Sequence, residues 1–325
     1  MDINQIINFI SERRKELGLS QNDIANKLGY SSQLIFNWEK NKSLPDLSII
    51  SNLCNILNLT IDELFNCQIK SNNKKEKLQN FNIDEFVNEV ATDALKKLGS
   101  SQCESGNYPV VLNQHSFSQL LAAYLSNIDA EEVQKKSSLL IGKLHKPVAS
   151  KKLTVIENPL EKNIFFRYFD DEGVATNRKF IIKNGELLTY IYTLETAFKD
   201  GAEPTGNGYR GGGKAHASLN NVIVKPGKKS FDEMISTIKN GVYITEFQGL
   251  HSGLNAQSGN FSLQSCGFMI ENGKVTKPLS LITTAGNLVE LFNDIKCVAN
   301  DSKFIIGTAT NTPSVFIKKL SISGK

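Results

Sequence analysis

With 325 residues, 40% of them hydrophobic and 22% charged, the chain is long enough for two or three compact domains of ordinary globular composition, and no apolar run in it is long enough to span a bilayer. The formal charge of +4 excludes a generally polycationic protein while leaving room for a localised basic site. Five cysteines (Cys54, Cys67, Cys103, Cys266 and Cys297) are odd in number, scattered and never spaced C-x-x-C, so they read as reduced thiols rather than a disulfide or zinc framework. MDINQIINF lacks the succession of a secretory signal, and a cytoplasmic protein with no membrane partner is expected.

Residues 1–69 read as an all-α head of five short helices. Ile6, Ile7, Phe9, Ile10 and Leu17 give the first helix an inward face. Ser20 is a fitting N-cap for a second helix whose Ile24, Ala25 and Leu28 point inward, and Gly29 stands where that helix must stop and turn. Ser31 then opens a third helix with Leu34, Ile35 and Trp38 at helical spacing, and LPDLSIISNLCNILN and TIDELF supply two more. The third helix turns Ser32, Gln33, Asn37 and Lys40 outward, and amide side chains such as Gln33 and Asn37 can pair with the N6 and N7 edge of adenine. The residues expected to meet double-stranded DNA are Gln21, Ser31, Ser32, Gln33, Asn37, Lys40 and Lys42. One property limits affinity. Six Lys and Arg stand against eight Asp and Glu over residues 1–69, a net of −2, so phosphate attraction rests on local placement of Arg13, Arg14, Lys40 and Lys42 and on a second copy in a dimer.

KSNNKKEKLQN, at 70–80, carries Lys70, Lys74, Lys75 and Lys77 without apolar periodicity and reads as an exposed tether over 70–82. IDEFVNEVATDALKKLG follows as an amphipathic helix with Phe86, Val90, Ala94, Leu95 and Leu98 on one face and Gly99 as its stop. YPVVLN is a buried strand and HSFSQLLAAYLSNI a helix opening near Ser116. The chain then turns strand-rich, and Asn184-Gly185 and Asn272-Gly273 between alternating apolar runs are hairpin signals. Helices over FDEMISTIKN and GNLVELFNDI complete an α+β body with largely antiparallel sheets, divided into 83–224 and 225–325.

Other chemistry is weakly signalled. His115, His145, His216 and His251 never form an H-x-x-x-H pair, so neither a metal nor a cofactor is expected. His251 beside Ser252 lacks a G-x-S-x-G elbow. Gly208 to Ala215 approaches a phosphate-cradling loop, but Ala215 replaces the magnesium-binding hydroxyl and the flanks read extended, so it reads as a glycine loop. Asp170, Asp171 and Glu172 read as a solvated turn.

Two resemblances extend this reading. Gln21, Ala25, Gly29, Ser31, Ile35, Trp38 and Glu39 stand where the Cro/CI-type (XRE) helix-turn-helix family has its pattern, which implies a head that binds operators as a dimer. ALKKLGSSQCESGNYPVVL, SSLLIGKLHKPVAS, FFRYFDDEGVATNRKFIIKNGEL, EPTGNGYRG, ITEFQGLHSGLNAQSGNFSLQSCGFMIENGKVTKPL and TTAGNLVELFNDI resemble, in order and spacing, the TldD/PmbA (TldE) metallopeptidase family over roughly residues 83–325. The head occupies the place of that family's large N-terminal domain. In the peptidase member, TldD, a helix carries the zinc motif H-E-x-x-x-H; here its positions fall on Leu121, Ala122 and Ser126, and the third ligand, a cysteine, falls in GTATNTPSV, which has no thiol. The resemblance therefore implies the PmbA/TldE side: a body without catalytic or metal residues that binds a peptide or a TldD-like partner. Asn207, Arg210, Lys214 and His251 are its candidate contacts. The alternative it leaves open is a subunit of a TldD/TldE-type metallopeptidase complex, with the head as recruitment module and homo- or hetero-dimers as the expected state.

Overall fold

The computed structural model describes residues 3–40, 45, 47–60, 63–64, 67 and 83–325. Contacts divide the chain into two units, residues 1–89 and 90–325.

In the first unit four helices are described: α1 (Ile3–Glu16), α2 (Gln21–Leu28), α3 (Ser32–Glu39) and α4 (Leu47–Ile56). The start of α2 is fixed by a reciprocal cap. Ser20 Oγ accepts from Asp23 N at 3.1 Å while Asp23 Oδ2 accepts from Ser20 N at 2.7 Å, which satisfies two amides that the helix itself leaves free. Gly29, at φ 77°, ends α2 in the left-handed conformation that costs glycine least, and Tyr30 N closes back onto Ala25 O at 2.9 Å. Ser31 has the extended backbone of an N-cap but its hydroxyl makes no capping bond, so α3 starts on backbone geometry alone. Ile7, Ile10, Ile24, Ala25, Ile35, Trp38, Leu53 and Leu57 form one buried cluster. The fifth expected helix lies partly outside the described residues; Thr60 and Glu63 make the same reciprocal cap as Ser20 and Asp23, at 2.7 Å and 3.2 Å. The tether over 70–82 lies outside them entirely.

Helix α5 (Ile83–Lys96) precedes the body's strands, and its Val90 and Leu95, with Leu98 just beyond, are exposed. The body has two six-stranded sheets. In the first, β1 (Gly106–Leu112), β8 (Asn240–Gln248), β9 (Asn260–Glu271), β10 (Lys274–Asn287) and β14 (Val315–Ser323) pair in that order, and β14 returns to β1, so five strands close a barrel. The sixth, β11 (Ile295–Val298), pairs with the first half of β14. Closure leaves no free edge around the ring. Strand β8 is hydrogen-bonded on both sides and offers no open edge for peptide addition. The β9–β10 hairpin turns at Asn272 and Gly273, with φ 50° and 77°, the two left-handed residues such a turn needs.

The second sheet runs β12 (Lys303–Ile305), β13 (Thr310–Thr312), β7 (Val222–Val224), β2 (Val155–Glu157), β3 (Lys179–Lys183) and β4 (Glu186–Leu187). Asn184 and Gly185 make the β3–β4 turn as the sequence signals. All pairings between the body's strands are antiparallel except β1 with β8 and β7 with β13. Both sheets cross the expected boundary at 224/225, because β1 joins β8 and β14 while β7 joins β13; strands on the two sides of that position complete one another's ladders.

Helix α6 (Gln114–Leu125) packs against β1 and β8 of the barrel and β12 and β13 of the second sheet. Asn113 caps it, accepting from Ser116 N at 2.8 Å. Phe117, Leu120, Leu121 and Tyr124 are buried, Tyr124 stacks on Phe292 at 4.2 Å, and its hydroxyl donates to Val148 O at 2.6 Å. Five short α-helices remain among the described residues of the body: α7 (Ala130–Gln134), α8 (Leu194–Asp200), α9 (Phe231–Ile235), α10 (Leu250–Gly253) and α11 (Leu288–Asn293). The body's three-layered order of barrel, helix and sheet is what brings the ends of α6, β7 and β13 together.

Candidate functional sites

In the first unit, α3 turns Ser32 and Gln33 to solvent, with Asn37 half-buried one turn on and Lys40 exposed at the end. Gln33 Nε2 donates to Asn37 Oδ1 at 3.2 Å, so the two amides lie side by side along the outer face, and Lys40 Nζ sits 5.9 Å from the Phe36 ring. Lys42 lies outside the described residues. Beneath that face Glu39 ties three elements together. Arg14 Nε and Nη2 reach its two oxygens at 2.6 Å and 3.0 Å, and Gln21 Nε2 donates to Oε2 at 2.7 Å. Burial pushes the Glu39 carboxyl up, but the Arg14 and Gln21 hydrogen bonds prevail and hold it below the ordinary range. Gln21 thus anchors α2 to the end of α3. Sequence patterning placed Arg14 only as a phosphate contact and missed the clamp, whose signal is an Arg on the first helix and a Glu closing the third.

In the body, a cavity of about 480 Å³ opens where the end of α6 meets β7 and β13. Ala122, Ser126, Asn127, Asp129, Glu132, Ser137, Thr308 and Thr310 are among its lining residues. Two of the three positions on which the zinc motif falls, Ala122 and Ser126, therefore face the same space as Thr308 and Thr310 of the GTATNTPSV segment, while Leu121 is buried in the core. These side chains do not fit a zinc ion: the buried Leu121 and the Ser126 hydroxyl stand where imidazoles would ligate, the Ala122 methyl stands where a carboxylate would activate water, and threonines stand in the segment that would supply the thiolate. Of the two lining carboxylates, Asp129 accepts from Glu131 N at 2.9 Å and caps α7, and Glu132 accepts from Ser137 Oγ at 2.5 Å. Burial pushes the Asp129 carboxyl up, and the nearby Glu131 and Glu132 charges add to that rise. Among the described residues, no group of three or more His, Cys, Asp or Glu converges as a metal site would require. The Thr308 hydroxyl is buried there without a hydrogen-bond partner.

A second cavity of about 290 Å³ adjoins the first through Ser218 and Leu219, and Phe165, Arg167, Asn207, Tyr209 and Asn220 line it. The structure does not gather the four candidate contacts. Asn207 lines the second cavity, but its side chain is engaged: Nδ2 donates to Glu157 Oε1 at 2.7 Å and Ser218 O at 3.0 Å, and Oδ1 accepts from Lys179 Nζ at 3.1 Å. Arg210 is exposed on the glycine loop. Lys214 Nζ bridges Glu131 and Glu195 at 3.1 Å and 3.2 Å. His251 is exposed on α10 and lines neither cavity.

The glycine loop closes a small hairpin, β5 (Gly208–Tyr209) with β6 (His216–Ala217), and no helix follows, so no phosphate cradle forms. The FDDEG turn differs from the solvated reading. Asp170 is buried, accepting from Glu172 N, Val174 N and Gly208 N at 3.0, 2.9 and 2.8 Å, and it fixes the loop that carries Asn207. The buried carboxylate at Glu157 was also missed. It sits in β2, fully enclosed, held by Lys179 Nζ at 2.6 Å and Asn220 N at 2.7 Å; an acid inside the apolar run TVIEN is the signal that points to it.

Comparison with known proteins places both units. Residues 105–324 match the PmbA/TldA metallopeptidase C-terminal domain and residues 10–64 a helix-turn-helix. Metalloprotease PmbA of Escherichia coli O157:H7 is 31% identical over 240 residues, 73% of this chain and 50% of that protein; a TldD homologue of Haemophilus influenzae is 30% identical over 230 residues, 68% and 47%. The chain spans about half the length of the curated relatives it matches. A Thermotoga maritima structure, described as a candidate modulator of a DNA gyrase, is 36% identical with a TM-score of 0.70, covering 75% of this chain and 56% of that one. TldE from Thermococcus kodakarensis, 24% identical at a TM-score of 0.69 over 75% of this chain and 56% of its own, shares the fold. No described helix is long and apolar enough to cross a membrane. A family match over two-thirds of the sequence, and a helix-turn-helix match ahead of it, establish that the chain belongs to the PmbA/TldD metallopeptidase family and carries an XRE-type helix-turn-helix head.

Proposed function

We propose that the protein is a DNA-binding member of this family whose PmbA/TldE-like body binds a peptide or a TldD-like peptidase partner. The observation that carries the reading is the outer face of α3, where Gln33 and Asn37 present paired amides between Ser32 and Lys40 on a helix positioned by the Gly29 turn and the Glu39 clamp. Such a face suits base edges in a major groove, and a dimer of heads doubles an interaction whose single-copy charge is weak. In the body the two cavities meet at Ser218 and Leu219 and are lined by both polar and apolar side chains, a lining that suits a peptide. A second reading, subunit of a TldD/TldE-type peptidase complex, is favoured by one feature: Ile164, Tyr168, Phe169 and Ile306 are 61–77% exposed, on two segments that the Phe165 and Phe304 rings join at 5.9 Å, apolar side chains suited to a protein partner.

Operators selected from a random duplex library provide the test. Gln33→Ala with Asn37→Ala is expected to weaken mobility-shift affinity for the selected operator by about 1–3 kcal/mol per bidentate pairing with a base, with the body still folded. Unchanged affinity in the double variant removes α3 from the groove.

A further inference from the structure

Positive charge collects at one end of the second sheet. Val155 begins β2 opposite Ile182 of β3 and Val224 of β7, so the start of β2 and the ends of β3 and β7 coincide. Lys151 and Lys152 precede β2, Lys183 ends β3 and Lys225 follows β7, where its amide donates to Thr154 O at 2.9 Å. The same end continues onto β11. Ser150 Oγ donates to Ile295 O at 2.8 Å, Gly227 N donates to Ala299 O at 2.9 Å, and Lys229 bridges Ala299, which brings Lys228 and Lys229 to the neighbourhood of Lys151 and Lys152.

All six lysines are exposed and none takes part in an ion pair among the described residues. Elsewhere in the body Lys97, Lys135, Lys199, Lys214 and Lys277 each hold a carboxylate, and Lys136, Lys143, Lys239 and Lys274 are, like these six, without an ion pair among the described residues; what sets the six apart is that the ends of β2, β3 and β7 gather them in one place. The acids near this end are few. Glu186 stands opposite Lys183 across the hairpin, Asp232 and Glu233 lie in the first turn of α9 with the Lys229 charge acting on Glu233, and Asp294 precedes the Ile295 that Ser150 meets, four acids against six lysines. Six like charges with few partners favour a regular polyanion. Adjacent strands stand about 4.8 Å apart, so Lys183 to Lys225 covers about 10 Å, a length of duplex axis that carries about six phosphates.

We propose that this lysine-lined end of the body is a binding surface for the phosphate backbone of duplex DNA, supplying the sequence-independent affinity that the head lacks. The inference rests on reading the head as DNA-binding, since a net charge of −2 over residues 1–69 leaves base recognition with little phosphate attraction behind it.

The experiment uses the full chain, a labelled duplex of random sequence about 25 base pairs long, which spans the lysine-lined surface with room to spare, and fluorescence anisotropy across a salt series. Gln33→Ala with Asn37→Ala provides a background without the head's base recognition, and Lys151→Glu, Lys152→Glu, Lys228→Glu and Lys229→Glu are added to it. The background is expected to keep salt-steep binding. Charge reversal is expected to raise Kd at least about tenfold at low salt and to flatten the slope of log K against log salt by about 3–4, roughly 0.9 for each phosphate no longer neutralised. The four-fold Lys→Gln variant, which removes charge without adding any, should lie between the two and decides the matter if the Glu variant does not fold. Unchanged Kd and slope in the folded variant overturn the proposal, as does binding of phosphatidylglycerol vesicles through these lysines with no duplex binding. Failure of the head is read separately, from the effect of the Gln33 and Asn37 changes on selected operators.

Discussion

Replacing Glu39 with Gln removes the charge from a carboxylate shared by α1, α2 and α3. The Arg14 and Glu39 side chains are only 10% and 8% exposed, so solvent screens the pair little. Arg14 is also committed elsewhere, donating through Nη1 to Leu19 O at 2.7 Å, and cannot swing out to water without breaking that bond. Breaking a buried pair from one side costs about 3–5 kcal/mol, because the remaining charge stays buried without compensation. Gln keeps the shape and one acceptor oxygen, which places the expected loss at the lower end, about 3 kcal/mol. Trp38 is the sole tryptophan of the sequence and is 2% exposed in the head's core, so its fluorescence in a urea titration reports the head and not the body. At about 1–3 kcal/mol per molar urea, the midpoint should fall by about 1–3 M. The pH dependence gives an independent signature. The folded-state pKa is depressed, so the pair's stabilisation is fully present above the unfolded-state value and is lost as pH falls through the folded one. Wild type should therefore lose head stability in acid along a limb that Glu39→Gln lacks. An unchanged midpoint, or the same acid limb in both proteins, would refute the clamp.

Glu157→Gln should destabilise the body by about 3–5 kcal/mol, since the change strips the charge that Lys179 meets at 2.6 Å inside the second sheet. In calorimetry this lowers the body's transition by at least about 6 °C, with Trp38 fluorescence of the head unmoved; a body transition at the wild-type temperature contradicts it. The purified chain with added zinc should release no fragments from an unfolded peptide such as casein, because Ala122, Ser126, Thr308 and Thr310 offer the cavity no imidazole or thiolate. Metal-dependent turnover by the chain alone would disprove that account.

Local chemistry explains what was legible in the sequence. The Ser20 cap, the Gly29 stop and the Asn184-Gly185 and Asn272-Gly273 turns each depend on neighbours a few residues away, and each stands where its residues put it. The third helix's inward and outward faces follow from periodicity in the same way. Barrel closure does not. It joins Gly106–Leu112 to Val315–Ile322, segments about two hundred residues apart whose alternation says nothing about which strand completes which. The main cavity is built from segments around 122–137, 191, 217–222, 256–257 and 308–310, so no stretch of sequence displays it. Asn207 shows the limit at a single residue. Its loop looked like a binding surface, yet a buried Glu157 fifty positions earlier claims its amide.

The cavity and the lysine-lined end have opposite electrical character within one body. Asp129 and Glu132 line the cavity, no Lys or Arg does, and none of the six lysines borders either cavity. A peptide that suits the cavity is neutral or cationic along that wall, a duplex is anionic, and neither ligand occupies the residues of the other. The two sites share no lining residue, and structure common to both can couple them. Strand β7 is that structure: Val222 borders the cavity, and Val224 ends the strand beside Lys225. Two residues of extended backbone, about 7 Å, separate the two sites. A peptide that displaces β7 alters the spacing of the lysines, and by linkage the duplex alters peptide affinity by the same factor. A peptide that leaves β7 in place binds independently of the DNA.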